Sequence, residues 1–407
     1  MQTTQIAIVG GGPAGLAAAL AAVEAGATVT LIDEQPTLGG HWRWLRTPLM
    51  GITPELDGRS GVEAAELLTA RLRALDLQVL TETVAWGLFD ERTLALAGPQ
   101  GSFLLQAERL ILATGAIDRR VPFPGWTLPG VMTAREALRV RETEPALLGE
   151  YVVVIGAGDD ADHAVVALEG SVRTVTRLPG WADVAVEGRH RVEQVRYQGH
   201  TLPADTVVVA LGRLPDATLA QQAGAQLAFD EQLGWWRVHR DESLQTTLPG
   251  VFVAGEAGGA QTDAEAWQEG RLAGLVVADA HDLAVLQAEG ALRRSVHQQA
   301  VDPLSPSWAA SLADDLVICR CEMVTAGAIR AAIRDGARSL NDIKRRTRAG
   351  MGECQGAWCS PAIACVLAAA LGSPRSALVP LTARPPARPI PLATLAALEG
   401  VDAHESS

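Results

Sequence analysis

Cysteine is scarce in this chain: there are five in 407 residues, and the first is Cys319. A disulfide-stapled secreted fold spreads its cysteines throughout, so that class is excluded. Positive charge is also short, with 34 Lys and Arg against 47 Asp and Glu and a net charge of -13. Nucleic acid and anionic membrane surfaces both need a basic face, so neither is an expected partner. No apolar run reaches the length of a bilayer span. No export signal is recognisable, and with free thiols this leads us to expect the cytoplasm. Tyrosine occurs twice against ten tryptophans, and core or interface packing is the expected use of these indoles.

What is abundant is apolar and small. Hydrophobic residues make up 48% of the chain and glycine occurs 40 times, which suits a compact α/β protein with many tight turns. Its length allows two or three domains.

Residues 5–34 read QIAIVGGGPAGLAAALAAVEAGATVTLIDE: an apolar strand, a glycine turn, an alanine-rich helix, a second strand and an acid. This is the dinucleotide-binding pattern. Gly10 permits the turn, Gly12 lets the backbone approach a pyrophosphate, and Gly15 lets helix and strand pack closely. Pro13 and Ala14 complete the turn, and the helix N-terminus faces the phosphates. Asp33 lies 23 residues after Gly10 and is the expected partner of the ribose hydroxyls, with Glu34 as its substitute. The turn PTLGG follows and ends at Gly40 and His41.

Tyr151–Gly212 opens as a second such unit, YVVVIGAGDDADHAVVAL. Here Ala161 holds the third glycine position, and Asp159 and Asp160 occupy the turn where phosphates would sit. Two carboxylates repel a pyrophosphate. The strand Val172 to Thr176 ends without an acid; Arg177 is left as a partner for a 2'-phosphate. Only about 30 residues separate Thr176 from Val207, too few for a further helix and strand plus an antiparallel meander. A shortened, structural unit is expected, and NAD(P) binding is not.

Four of the cysteines form two tight pairs, Cys319 with Cys321 and Cys354 with Cys359. Soft thiolates in two pairs hold either zinc or a two-iron cluster. Within-pair gaps of one and four residues are unusual for a zinc ribbon. Between the pairs, Ala326 to Asp335 and Leu340 to Thr347 read as short helices, the second opened by Ser339-x-x-Asp342. Lys344, Arg345, Arg346 and Arg348 form a basic run beside the site, suited to an anionic cluster or an acidic partner. Cys365 lies on an apolar helical run and reads as a core thiol.

Three resemblances narrow these readings. LILATG (110–115) and TLPGVFVAGE (247–256) resemble the signatures of the two-dinucleotide-domain, glutathione reductase-like flavoproteins. That resemblance implies FAD, with Thr114, Gly115, Gly255 and Glu256 at the cofactor. Glu256 stands where Asp is usual, at the flavin's ribityl chain. A helix from about Thr262 to Ala280 would then turn its N-terminus to the isoalloxazine. CRCEMVTAGAIRAAIRDGARSLNDIKRRTRAGMGECQGAWC resembles the domain of bacterioferritin-associated ferredoxins, which implies a [2Fe-2S] cluster on Cys319, Cys321, Cys354 and Cys359. Finally, ATGAIDRRVPFPGWTLPGVMTA (113–134) resembles the FAD-binding alpha-type subunits of bacterial opine oxidases, hydrogen cyanide synthase and dye-linked proline or hydroxyproline dehydrogenases. The chain departs from these in its short second unit, in Glu256 and in His41, where relatives commonly have Gln.

The fold class expected is therefore α/β: a two-dinucleotide-binding-domain flavoprotein with a truncated second unit and a small helical [2Fe-2S] domain. Its domains would be residues 1–135 and 241–285 for FAD, 136–240 for the second unit, 286–316 as a linker, 317–373 for the cluster and 374–407 as a proline-rich arm. A helix is expected from Asp282 to about Ala300, followed by the loop VDPLSPSW that links to the cluster domain. The resemblance implies an electron-transfer subunit of an amino acid or amine dehydrogenase. Its partners would be a D-amino-acid-oxidase-like catalytic flavoprotein, in some relatives a further small subunit, and a quinone or other acceptor; some relatives hold FMN between subunits. The alternative is a stand-alone NAD(P)H-dependent reductase feeding a ferredoxin-like acceptor. No Cys-x-x-Cys pair occurs, which excludes disulfide reduction, and no residue is nominated as catalytic. Trp42 and Trp44 wall either a flavin or the core.

Overall fold

The computed structural model describes residues 1–90, 92–280, 285 and 302–398. Strands β1 (Gln2–Val9), β2 (Val29–Ile32), β3 (Gln78–Leu80), β4 (Val84–Phe89), β5 (Thr93–Gly98) and β6 (Gly101–Leu112) form one sheet in the order β3-β2-β1-β6-β5-β4. A later strand, Val251–Val253, adds in parallel to the C-terminal half of β6. Ile6, Ile8, Val29, Leu31 and Ile32 are fully buried, as expected of parallel strands covered on both faces. One cover is the helix Pro13–Glu24, whose alanines pack on the helix Asp263–Val277. A Cβ added at Gly270 would lie 2.0 Å from the Ala14 carbonyl oxygen, and one at Gly274 2.3 Å from that of Ala18. The two helices thus meet backbone to backbone, which only glycine against alanine permits.

The second unit is a four-stranded parallel sheet of Thr174–Leu178, Tyr151–Gly156, Thr206–Ala210 and Val131–Thr133, in that order. The helix Ala134–Thr143 joins Val131–Thr133 to Tyr151–Gly156, and the helix Asp159–Leu168 follows the glycine turn. The antiparallel meander Val184–Glu187, Gln194–Tyr197, His200–Pro203 is present. It takes up the whole connection between Thr174–Leu178 and Thr206–Ala210, so a further helix and strand have no room.

The C-terminal domain carries the helices Ala326–Arg334, Leu340–Thr347 and Ser360–Leu371. The Ser339 hydroxyl accepts from the Asp342 amide at 3.1 Å, the cap expected from sequence. Two expectations are corrected. The loop VDPLSPSW is partly helical: Ser305 caps Pro306–Ser311 by accepting from the Trp308 amide at 3.1 Å, and Pro306 suits the first helical turn. The C-terminal arm is largely extended, yet Leu392–Ala396 winds into a short helix after Pro391, its last proline. The helix expected from Asp282 to about Ala300 falls outside the described residues, apart from residue 285.

Tryptophan proves to be the material of the domain junction. Trp126 Nε1 donates to the Val317 carbonyl at 2.7 Å, Trp181 meets Trp308 edge to face, and the Arg120 guanidinium lies 3.7 Å above the Trp358 ring. A buried ion triad closes the same junction. Asp302 accepts from Arg119 at 2.9 Å and from Arg375, joining the flavin-domain segment, the linker and the start of the arm. Arg119 is 2% exposed, and its burial lowers its pKa to about 10 despite Asp302. Removing the carboxylate would leave two cations facing each other out of water. Asp302→Asn should therefore cost about 3–5 kcal/mol of stability, seen by scanning calorimetry as a lowered unfolding transition. An unchanged transition would show that the two arginines do not depend on Asp302.

Candidate functional site

An open cleft runs along the C-terminal ends of β1, β2 and β6. Its walls include Gly10, Gly12, Pro13, Ala14, Asp33, Glu34, Gly40, His41, Thr114, Gly115 and Glu256. Ligands of α/β sheets bind in this position. At Gly10 φ is +104° and an added Cβ would lie 2.2 Å from the Ala113 carbonyl oxygen; at Gly15 it would lie 1.7 Å from that of Gly10. The turn is thus glycine by necessity at both places. Gly15 and Gly255 stand behind the wall, and Gly255 packs on Ala14. The Asp33 carboxylate accepts from the amides of Gly11 at 2.6 Å and Gln35 at 2.7 Å. Burial nonetheless raises its pKa.

The deep end of the cleft is a closed set of ion pairs. Arg135 grips Glu256 with both terminal nitrogens, one at 3.0 Å, and Arg213 bonds the same carboxylate. Burial pushes the Glu256 carboxyl up, but the two guanidinium groups outweigh it and hold it well below the usual range. Arg213 also faces Asp160 at 3.4 Å. His41 Nε2 lies 2.7 Å from Asp263 Oδ1, at the start of the helix Asp263–Val277. Burial raises the Asp263 carboxyl, and the His41 charge and hydrogen bond then bring it down to about 2. A small adjoining cavity is lined by His41, Trp44, Arg135, Asp160 and His163. Trp42 is elsewhere: it is fully buried and stacks on Trp267, so packing is its role.

Sequence reasoning missed Arg135, Arg213, Asp216 and Arg388, which belong to this cleft or its rim. Asp216 follows the strand Arg213–Pro215, which pairs antiparallel with Ala116–Asp118. Arg388 comes from the proline-rich arm, where nothing in the sequence marks it.

At the second unit's turn, Asp159, Asp160 and Asp162 all fall in the first turn of the helix Asp159–Leu168. Arg177 pairs with Asp162 and donates to the Gly156 carbonyl at 3.3 Å. The cation that sequence left for a 2'-phosphate is therefore folded onto the turn itself.

The four cysteines of the C-terminal domain converge as two pairs. Cys321 and Cys354 have their sulfurs 3.7 Å apart at the surface. Cys319 and Cys359 are 1% and 2% exposed and share a hydrogen bond. That bond from Cys359 holds the Cys319 thiol at about 6 and, conversely, pushes Cys359 up. Among the described residues, no three His, Cys, Asp or Glu side chains close around a single ion. Four thiols gathered from two segments are the donor set that a [2Fe-2S] cluster takes. Cys365 is buried and donates to the Ser305 carbonyl at 3.3 Å, as a core thiol does. Replacing any of Cys319, Cys321, Cys354 or Cys359 by Ser should abolish the cluster's visible absorbance and bound iron, while Cys365→Ser should keep both. Loss of iron in the Cys365 variant would reassign the ligand set.

The pyridine nucleotide-disulphide oxidoreductase family model matches residues 4–169 and 180–271, and the BFD-like [2Fe-2S] binding domain model matches residues 317–369. The A subunit of opine oxidase from Rhizobium meliloti (strain 1021) is 31% identical over 455 residues, which cover 96% of this chain and 98% of the relative. The HcnB subunit of hydrogen cyanide synthase from Pseudomonas aeruginosa is 28% identical, over 86% of this chain and 90% of its own. The crystal structure of L-proline dehydrogenase from P. horikoshii aligns with a TM-score of 0.85 and 30% identity, covering 97% of this chain and 79% of that one. The expected flavin and [2Fe-2S] cofactors agree with both family models. This chain belongs to the pyridine nucleotide-disulphide oxidoreductase family, as a flavin-binding oxidoreductase that carries a BFD-like [2Fe-2S] domain and no Cys-x-x-Cys pair.

Proposed function

We propose that this chain is the electron-transfer subunit of a multi-subunit amino acid or amine dehydrogenase. It would pass electrons from a D-amino-acid-oxidase-like partner to an external acceptor. The observation that carries this reading is the deep end of the cleft, where Glu256, Asp160 and Asp118 each face an arginine and Asp263 is hydrogen-bonded to His41. A carboxylate can act as a general base only when it is free to take a proton. Here the carboxylates are committed to holding Arg135, Arg213 and His41 in place.

In the cleft, Gly10, Gly12, Pro13, Ala14 and Gly15 would receive the pyrophosphate and Asp33 or Glu34 the ribose. Thr114, Gly115, Gly255, Glu256, Gly40 and His41 would border the flavin half. Cys319, Cys321, Cys354 and Cys359 would hold the cluster. A bound flavin takes two electrons together and yields them singly, and a two-iron cluster carries one at a time. The chain's part is to hold the two sites in fixed relation, and the Arg120–Trp358 contact, one residue from Cys359, does this at the junction.

A reductase fed by NAD(P)H would need the second unit to accept a pyrophosphate. Asp159 and Asp160 at its turn, with Arg177 engaged by Asp162, weigh against that. In an anaerobic titration of the purified chain, neither NADH nor NADPH should bleach the flavin band, whereas dithionite should bleach flavin and cluster. Stoichiometric bleaching by either nicotinamide within seconds would establish the reductase instead.

A further inference from the structure

The C-terminal arm does more than cross the surface. Beyond the cluster domain it runs back over the flavin-binding sheet, where the Ala387 amide donates to the Trp86 carbonyl at 2.6 Å and Ile390 packs against the cluster of Trp86, Ala95 and Ala97. This places Arg388 at the rim of the nucleotide cleft. Its Nη2 lies 2.6 Å from Asp216 Oδ2, and its Nε lies 3.5 Å from Glu34 Oε2.

The anchor is Asp216. It is 6% exposed and also accepts from the amide and hydroxyl of Thr218, at 3.1 Å and 2.6 Å. Burial raises this carboxyl, but the Arg388 charge and the Thr218 bonds leave it lowered overall. Arg388 is thus held from a buried acid behind it, while 38% of its side chain stays exposed at the cleft.

Which end of the cleft this is follows from the fold. The glycine turn after β1 marks the phosphates, and the acid after β2 marks the ribose. Arg388 shares that second end with Glu34. A planar, always charged guanidinium there is suited both to stacking on a base and to bonding ribose or phosphate oxygens.

We propose that Arg388, held by Asp216, closes the adenosine end of the cleft, so that the C-terminal arm is part of the nucleotide site. This rests on the reading of the cleft as a dinucleotide site. The chain then binds its nucleotide with residues from both ends of the sequence.

The test uses the full-length purified chain and two probes, FAD and ADP. FAD affinity is read from fluorescence recovery on dilution of the holoprotein, and ADP affinity from competition with FAD or direct titration. Arg388→Ala should raise the dissociation constants for FAD and ADP together, by about tenfold or more, with the cluster absorbance unchanged. Arg388→Lys should restore affinity only in part, because an ammonium lacks the planar fork. Asp216→Asn, which leaves Arg388 in the chain but removes its anchor, should weaken ADP in the same direction and serves if the alanine variant fails to fold. Wild-type ADP affinity in folded Arg388→Ala or Asp216→Asn protein would overturn the proposal, even with a lowered melting temperature, because the arm would then be only a structural tie. A wild-type chain that binds neither FAD nor ADP would instead overturn the reading of the cleft.

Discussion

Arg135 and Arg213 together grip the buried Glu256 carboxylate, and that contact ties the two nucleotide-type units together alongside the strand pair Ala116–Asp118 with Arg213–Pro215. Glu256 ends the segment after the last strand of the flavin-binding sheet, Arg135 opens the helix Ala134–Thr143, and Arg213 follows the central strand of the second unit. One carboxylate thereby joins three separate segments. Taking these charges out of water costs several kcal/mol per ion, so such a set persists only when every member is paired. Asp118 and Asp160 complete it on the outer side of the two arginines. The consequence is a closed, fully paired seam between the two units.

That seam fits the short second unit. A unit whose glycine turn carries two carboxylates has little use for the outer helix and strand of a dinucleotide site, but its meander still has a surface to cover. Phe123, Trp126, Val184, Val186 and Val195 form one apolar cluster with the central strands, and Leu316 of the segment leading to the cluster domain packs against it. The second unit is in this sense a platform. It supports the iron-sulfur domain, and the tryptophans concentrated there supply large, rigid contact area at little cost in side-chain entropy.

The two cysteine pairs differ in setting. Cys319 and Cys359 are buried with Trp236, Val121 and Trp308, while Cys321 is exposed and Cys354 partly so. A cluster held between them would have one side toward the protein interior and one toward solvent. Lys344, within electrostatic reach of Cys359 and with its pKa lowered by burial and by Arg384, adds positive charge where thiolates gather.

Local sequence was enough for everything that rests on spacing along the chain. The turn at Gly10, Gly12 and Gly15, the two short helices between the cysteine pairs, the second capped by Ser339, and the grouping of Cys319, Cys321, Cys354 and Cys359 rest on short-range geometry and ligand chemistry. Even the missing helix of the second unit was legible, because too few residues lie between Thr176 and Val207. Which distant charges meet was not legible. Arg135 and Glu256 are 121 residues apart, and Arg388 reaches Asp216 across 172. No periodicity links such residues, since long-range ion pairs are chosen by how the sheets and the arm pack. Residue order therefore carries the two cofactor classes and the elements that serve them. The ion pairs that seal the deep end of the cleft and the arm that crosses its outer end belong to the folded chain alone, because both depend on burial that exists only once the domains have docked.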